Sequence, residues 1–146
     1  MDKKLKQTFT YVTHLECSMV GDNYETYQQH NLSKAGKPLL VKYDLKSLSN
    51  SLSREELAYR PETLWRYSEF LPVKYAENIV SLGESMTPLI HTPRLQSGNG
   101  NVYIKDEGRL PTGSFKARGL CVAVSMAKEL GVTQIAMPTN GNAGAA

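Results

Sequence analysis

Lys116 is the residue whose sequence surroundings most favour covalent chemistry. It lies in the run PTGSFKARG (111–119), where one proline and two glycines make a tight, exposed loop and Phe115 places an aromatic ring beside the amine. Ser114 is suited to cap a helix, so Lys116 is predicted to lie in its first turn. The positive end of the helix dipole disfavours a cation there and favours the free amine that attacks an aldehyde. The alternative is a solvent-facing lysine at a helix start.

A second candidate site is the run PTNGNAGAA (138–146). Backbone N–H groups at a helix N-terminus, left uncrowded by Gly141 and Gly144, form an anion site. A tight turn between a strand and a helix is the alternative, and Asn142 could instead be a helix N-cap. Both runs would follow strands, and α/β sheets bind ligands at the carboxyl ends of their strands. The lysine and the anion site would then share one edge of a sheet.

An α/β pattern begins at Val102 and would position these two runs. The predicted elements, in chain order, are a strand over 102–105, a loop over 108–113, a helix over 114–130, a second strand over 133–137 and a helix beginning near Ala143. Apolar residues at helical spacing indicate the first helix, and Gly131 is suited to end it. The apolar residues at helical spacing in this predicted helix are Leu120, Ala123, Val124, Ala127 and Leu130. This order predicts a parallel sheet with helices on its faces.

The chain is predicted to divide into a small β unit over 1–46 and the beginning of an α/β region over 47–146. The predicted N-terminal elements are strands over 8–15 and 39–43, a polar linker over 47–53, a helical turn or two over 62–67, and a turn with an extended segment over 82–90. Ser53 and Glu56 fit a capping box, which predicts a helix from Arg54.

The runs KDEGRLPTGSFKARG (105–119) and PTNGNAGAA together resemble the fold type II pyridoxal-phosphate enzymes. The runs LWRYSEFLPV (64–73) and LGESMTPLI (82–90) are further similar to the threonine synthase family. This resemblance implies an α/β fold of the tryptophan synthase β type, truncated here, and pyridoxal 5'-phosphate as cofactor. It also implies a lyase that converts O-phospho-L-homoserine to L-threonine and phosphate, as a homodimer when full length. The truncated chain is expected to be inactive alone.

The same resemblance implies roles for individual residues. Lys116 matches the lysine that forms the Schiff base and shuttles protons. Phe115 matches an aromatic residue that packs against the cofactor ring, and Asn142 matches the asparagine that hydrogen-bonds the ring hydroxyl. The loop that receives the substrate carboxylate is matched by Thr139, Asn140 and Gly141. The family's cofactor-phosphate loop and its partner for the pyridine nitrogen have no counterpart in these residues.

Two other functions are compatible with the same lysine motif. An ammonia-lyase acting on serine, threonine or diaminopropionate would use Lys116 in the same way. A protein of a different class would bind the cofactor without catalysis, although the intact lysine argues against that. In each case the expected partner is a small molecule, an amino-acid substrate for the two enzymes.

The segment from Cys17 to Leu45 resembles a degenerate zinc ribbon, the small metal-binding unit that precedes some relatives. Cys17 remains, but the other ligand positions hold Val20, Leu32 and Ala35. One thiolate cannot form a closed tetrahedral zinc site. We therefore expect no bound metal, and the apolar replacements could fill the space of the metal and its ligands.

Composition and charge exclude several broader classes of function. The chain has 146 residues and a net charge of +3, and its basic residues cluster only at Lys3, Lys4 and Lys6. This pattern does not suggest nucleic-acid binding. No apolar run approaches the ~20 residues that span a bilayer. Two cysteines far apart in sequence favour a reducing compartment, so a cytoplasmic location is expected.

Overall fold

The computed structural model describes residues 10–96 and 98–146. The strands in this part of the chain are β1 Val12–Cys17, β2 Asn23–Tyr24, β3 Leu39–Tyr43, β4 Leu89–His91 and β5 Tyr103–Lys105. The α-helices there are α1 Leu45–Ser51, α2 Arg54–Tyr59, α3 Lys116–Glu129 and α4 Asn142–Ala145. Short 3-10 helices cover Leu64–Phe70, Ala76–Asn78, Pro93–Leu95 and Glu107–Arg109.

The N-terminal β unit is an antiparallel sheet in the order β2-β1-β3. Strand β3 has the predicted bounds, whereas β1 begins later than predicted and extends to Cys17. Residues 8 and 9 of the predicted first strand lie outside the described residues. Gly21 and Gly36 adopt positive φ angles of 76° and 66° in the two turns, a conformation that glycine adopts without steric cost. The division of the chain at residue 46 stays a prediction.

The segment after β3 is helical where a polar linker was predicted over 47–53. Asp44 caps α1, because its Oδ1 accepts the Ser47 N–H at 2.9 Å, and Leu48 is only 3% exposed. This cap and this burial outweigh the poor helix propensity of the serines. The predicted capping box at the start of α2 is confirmed by reciprocal bonds between Ser53 and Glu56, 3.1 and 2.8 Å long.

The predicted parallel sheet is not found in the described part of the chain. Strand β5 confirms the predicted strand over 102–105, but its partner is β4 in an antiparallel pair, with Leu89 opposite Lys105. Residues 133–137 form no strand, and Ile135 is 61% exposed. A buried parallel strand requires hydrogen-bonded neighbours on both sides. None of the described residues supplies such a neighbour to this segment.

Helix α3 positions Lys116 and packs along a stripe different from the predicted one. Its buried residues are Ala117, Cys121 and Ser125, spaced four apart, and the last two hydrogen-bond the backbone of Val80. The predicted apolar residues are only partly covered. Three of these apolar residues line a 660 Å³ cleft that faces the β unit, namely Ala123, Ala127 and Leu130.

Helix α3 ends as its sequence predicts. Gly131 has a φ of 72°, its N–H bonds the carbonyl of Lys128 at 3.1 Å, and the Val132 N–H bonds that of Ala127 at 2.9 Å. These two bonds form a Schellman motif, which satisfies carbonyl groups at the end of the helix. Among the described residues, every helix is too short or too polar to cross a membrane.

Candidate active site

Lys116 lies in the first turn of α3, as predicted, and is the first residue of the helix, but Ser114 does not cap it. Phe115 occupies the N-cap position in a helical conformation, with φ of −58° and ψ of −20°, and makes no side-chain cap. The Ala117 and Arg118 N–H groups bond the carbonyls of Ser114 and Phe115, each at 3.2 Å, so the chain already turns helically before Lys116. The buried Ser114 Oγ makes no hydrogen bond to the described residues. The first turn of α3 therefore lacks the expected cap.

The structure brings Lys116 and part of the second candidate loop together. They line one shallow, polar cleft of about 210 Å³, whose lining residues are Lys116, Asn140, Gly141, Asn142 and Ala143. Phe115 is not among them and is 66% exposed. A primary amine thus lies beside backbone amides and two carboxamides. The roles predicted for these residues stay predictions, but their proximity is a feature of the fold.

Thr139 supports this loop from within. Its Oγ1 accepts the N–H groups of Gly141 at 3.0 Å and Gly144 at 2.8 Å, and it does not line the cleft. Gly141 adopts a φ of 132°, which a residue with a side chain rarely adopts. A Cβ atom on Gly144 would lie 2.5 Å from Thr139 Cγ2. The loop therefore requires glycine at both positions.

An ion-pair network lies beside the first turn of α3. The Glu107 carboxylate accepts Arg118 Nε at 2.7 Å and Nη2 at 3.0 Å, and it also accepts the Thr87 hydroxyl. Lys105 Nζ is 3.8 Å from the same carboxylate. Hydrogen bonds from Arg118 and Thr87 lower the pKa of Glu107 to about 2. Sequence reasoning missed this pair, because its only signal is opposite charges eleven residues apart.

A second carboxylate holds the other end of α3. Glu129 accepts the backbone N–H groups of Lys74 and Tyr75, each at 3.0 Å, and the side-chain amide of Asn78 at 3.2 Å. These bonds satisfy donors at the start of the 3-10 helix Ala76–Asn78. The two ends of α3 are thus each tethered by one carboxylate.

Cys121 is not suited to nucleophilic chemistry. Burial raises the pKa of its thiol to about 12, and the neighbouring Glu84 carboxylate adds to the increase. The thiolate is the reactive form of cysteine, so this side chain stays a thiol at neutral pH. Lys116 remains the nucleophile to consider in this half of the chain.

The zinc-ribbon resemblance is not confirmed. The buried Cys17 Sγ hydrogen-bonds Ser33 Oγ at 3.1 Å, which links the two turns. Val20 and Leu32 are 53% and 51% exposed, so the prediction that apolar replacements fill the metal's space is wrong. The side chain that lies against Cys17 is Ser33. No cluster of three metal-ligating residues occurs within residues 10–96 and 98–146.

Comparisons with known proteins found one family model and several similar proteins. Residues 80–146 match the model of the family described as pyridoxal-phosphate dependent enzymes. The chain is 39% identical over 131 residues to a threonine synthase of Methanocaldococcus jannaschii, an alignment that covers 88% of this chain and 32% of that enzyme. It is 37% identical to the threonine synthase of Methanosarcina acetivorans, over 91% of this chain and 33% of the relative.

A third threonine synthase, from Halalkalibacterium halodurans, is 46% identical over 84 residues, which are 57% of this chain and 24% of the relative. The chain therefore spans a third or less of the length of these relatives. No solved structure is significantly similar to it.

Proposed function

We propose that this chain, whose residues 80–146 match the model of the pyridoxal-phosphate dependent enzymes, is part of a threonine synthase. The complete enzyme would convert O-phospho-L-homoserine to L-threonine and phosphate. The observation that carries the proposal is the shared cleft of Lys116, Asn140, Gly141 and Asn142. The relatives that bear this name cover most of the chain and support the substrate assignment.

The residues of the cleft fit the cofactor. Lys116 offers a primary amine for the cofactor aldehyde. Gly141 has open space where a Cβ atom would lie, so a planar ring can approach the backbone there. Asn142 offers an amide donor for the ring hydroxyl. Pyridoxal phosphate supplies an electron sink when bound, which stabilises negative charge on the substrate carbon.

The side chains of the cleft then have separate tasks. Lys116 would hold the cofactor, and as a free amine it would take and return protons at substrate carbon atoms. The loop of Asn140 and Gly141 is assigned to the substrate carboxylate by the family resemblance. Because the Gly141 N–H is bonded to Thr139 Oγ1, the donor to that carboxylate would be Asn140. Phe115 is assigned to the cofactor ring by the family resemblance alone. Thr139 would act by holding the loop in shape, since its hydroxyl is engaged there.

Borohydride reduction of the full-length protein tests the lysine assignment. Reduction fixes the cofactor on the lysine that carries it, and peptide mapping should find it on Lys116. The Lys116→Arg variant should lose this label. A matched control is Lys128→Arg near the other end of α3, where the amine bonds the carbonyl of Glu77 and lies far along the helix. Label on another lysine, with Lys116 unmodified, would contradict the assignment.

The reaction itself is tested by the products. Release of phosphate and threonine from O-phosphohomoserine is the expected result. Release of ammonia from serine, threonine or diaminopropionate, without phosphate release from O-phosphohomoserine, would identify an ammonia-lyase instead. A protein that carries the label on Lys116 and forms neither product would be a binding protein. The sedimentation mass of the same preparation tests the proposed homodimer.

A further inference from the structure

We propose that Glu107 is a positioning residue for Lys116 and that it acts through Arg118. The proposal rests on the proposed function, because it concerns the same lysine. Glu107 does not line the cleft, and its side chain bonds Arg118 and Thr87, which do not line it either. Its effect would therefore pass through the backbone of the first turn of α3.

The contacts place one carboxylate between three parts of the fold. Glu107 lies in the 3-10 helix that follows β5, and it receives two hydrogen bonds from Arg118 on α3 and one from Thr87 before β4. Arg118 Nη2 also donates to the carbonyl of Ser85 at 3.0 Å. The start of α3 is therefore tied to the chain just before β4 and just after β5, at the open end of this hairpin.

Helical geometry separates this tie from the cleft. Each residue advances about 100° around a helix, so Lys116 and Arg118 point about 200° apart. Arg118 is accordingly absent from the cleft lining. The ion pair holds the side of the turn opposite Lys116, and Lys116 faces the loop of Asn140–Ala143. A change in Glu107 would then move the backbone that carries the amine without removing a group from the site.

Ala117 is buried in this turn, but few side-chain hydrogen bonds hold it. Phe115 makes no side-chain cap, and the Ser114 hydroxyl makes no hydrogen bond to the described residues. The Glu107 and Arg118 side chains are only 23% and 25% exposed, and a two-point arginine–carboxylate contact has a defined geometry. The neighbouring pair of Arg109 and Asp106 lies within one loop, with the arginine 72% exposed, and does not reach α3.

The test compares carboxylates at the two ends of α3 in the full-length protein loaded with pyridoxal phosphate. Glu107→Gln removes the charge and one acceptor oxygen of the first tether, and Glu129→Gln is the matched control that does the same to the second. The measurements are the melting temperature, the pH midpoint of the absorbance of the lysine-bound cofactor, and the rate of borohydride trapping on Lys116. Glu107→Gln should shift the pH midpoint and lower the kcat by about tenfold or more, as expected for a misplaced reactive group.

Glu129→Gln should lower the melting temperature at least as much, yet leave the pH midpoint unchanged and the kcat within about twofold of the wild type. Equal changes of the pH midpoint and the kcat in the two variants would overturn the proposal, because Glu107 would then act only through stability. An unchanged midpoint in Glu107→Gln would overturn it as well. If Glu107→Gln does not fold, Arg118→Lys decides by the same readouts, since it keeps the charge but loses the two-point contact. Wild-type protein without label on Lys116 would instead refute the proposed function.

Discussion

Gly144→Ala is the substitution that most directly tests the geometry of the candidate loop. The added methyl group would lie 2.5 Å from Thr139 Cγ2 and 3.2 Å from both Thr139 Cβ and Oγ1. The same Oγ1 accepts the N–H groups of Gly141 and Gly144. The methyl group therefore cannot be accommodated unless Thr139 moves, and that movement breaks the bonds that shape the loop beside Lys116.

The size of the effect follows from the overlap. An ordinary contact between carbon atoms is about 3.5–4.0 Å, so the two methyl groups must separate by about 1 Å. Overpacking of this kind costs about 1–3 kcal/mol. Since about 1.4 kcal/mol corresponds to a tenfold change in affinity, the loop should bind its ligands about 5- to 150-fold more weakly.

The assay is a titration of the full-length apoprotein with pyridoxal phosphate, followed by the absorbance of the lysine-bound cofactor. Gly119→Ala is the control, because Gly119 lies within α3 with no atom within 4 Å of its added Cβ. This change should leave the Kd unchanged and raise the free energy of unfolding by up to about 1 kcal/mol. Adding Thr139→Ser to Gly144→Ala removes the methyl group at 2.5 Å but keeps the hydroxyl, and should restore part of the affinity.

Two outcomes would refute this reasoning. One is a Kd for Gly144→Ala within about twofold of the wild type, which would mean that the loop does not shape the cofactor site. The other is a weakened affinity that Thr139→Ser does not improve. In that case the loss would not come from the contact between Gly144 and Thr139.

Three further predictions concern charge, metal and folding. Since the pKa of Glu107 in the folded protein is about 2, below its ordinary value of 4.5, its stabilising effect is present above pH 4.5 and is lost as the pH falls towards 2. In urea unfolding, the free energies of unfolding of the wild type and Glu107→Gln should therefore differ at pH 7 and converge at low pH. A difference that stays constant with pH would contradict this. Elemental analysis should find no stoichiometric zinc, and one zinc per chain lost in Cys17→Ser would show that the β unit was misread. Residues 1–146 expressed alone should aggregate or melt without a cooperative transition, since apolar residues such as Ile135 and Met137 are exposed; a monomer with sharp two-state unfolding would prove this wrong.

Several features of this protein could be predicted from its sequence because they depend on neighbouring residues. The capping box of Ser53 and Glu56 and the end of α3 at Gly131 are of this kind. Each involves backbone groups within five positions of a residue type that is typical of helix ends, so the local pattern suffices. The resemblance to pyridoxal-phosphate enzymes also lay in two short runs, and the family comparison agrees with it.

Other features depend on residues that are distant in sequence, and only the tertiary structure decided them. Helix α1 forms in a serine-rich stretch because Leu48 is buried, and residues 133–137 form no strand because the described residues offer them no neighbour. The stripe that α3 buries was set by what packs against it, not by its most apolar face. The pairing of Glu107 with Arg118 arises in the same way, since long-range contacts depend on how elements meet in space, which local periodicity does not specify.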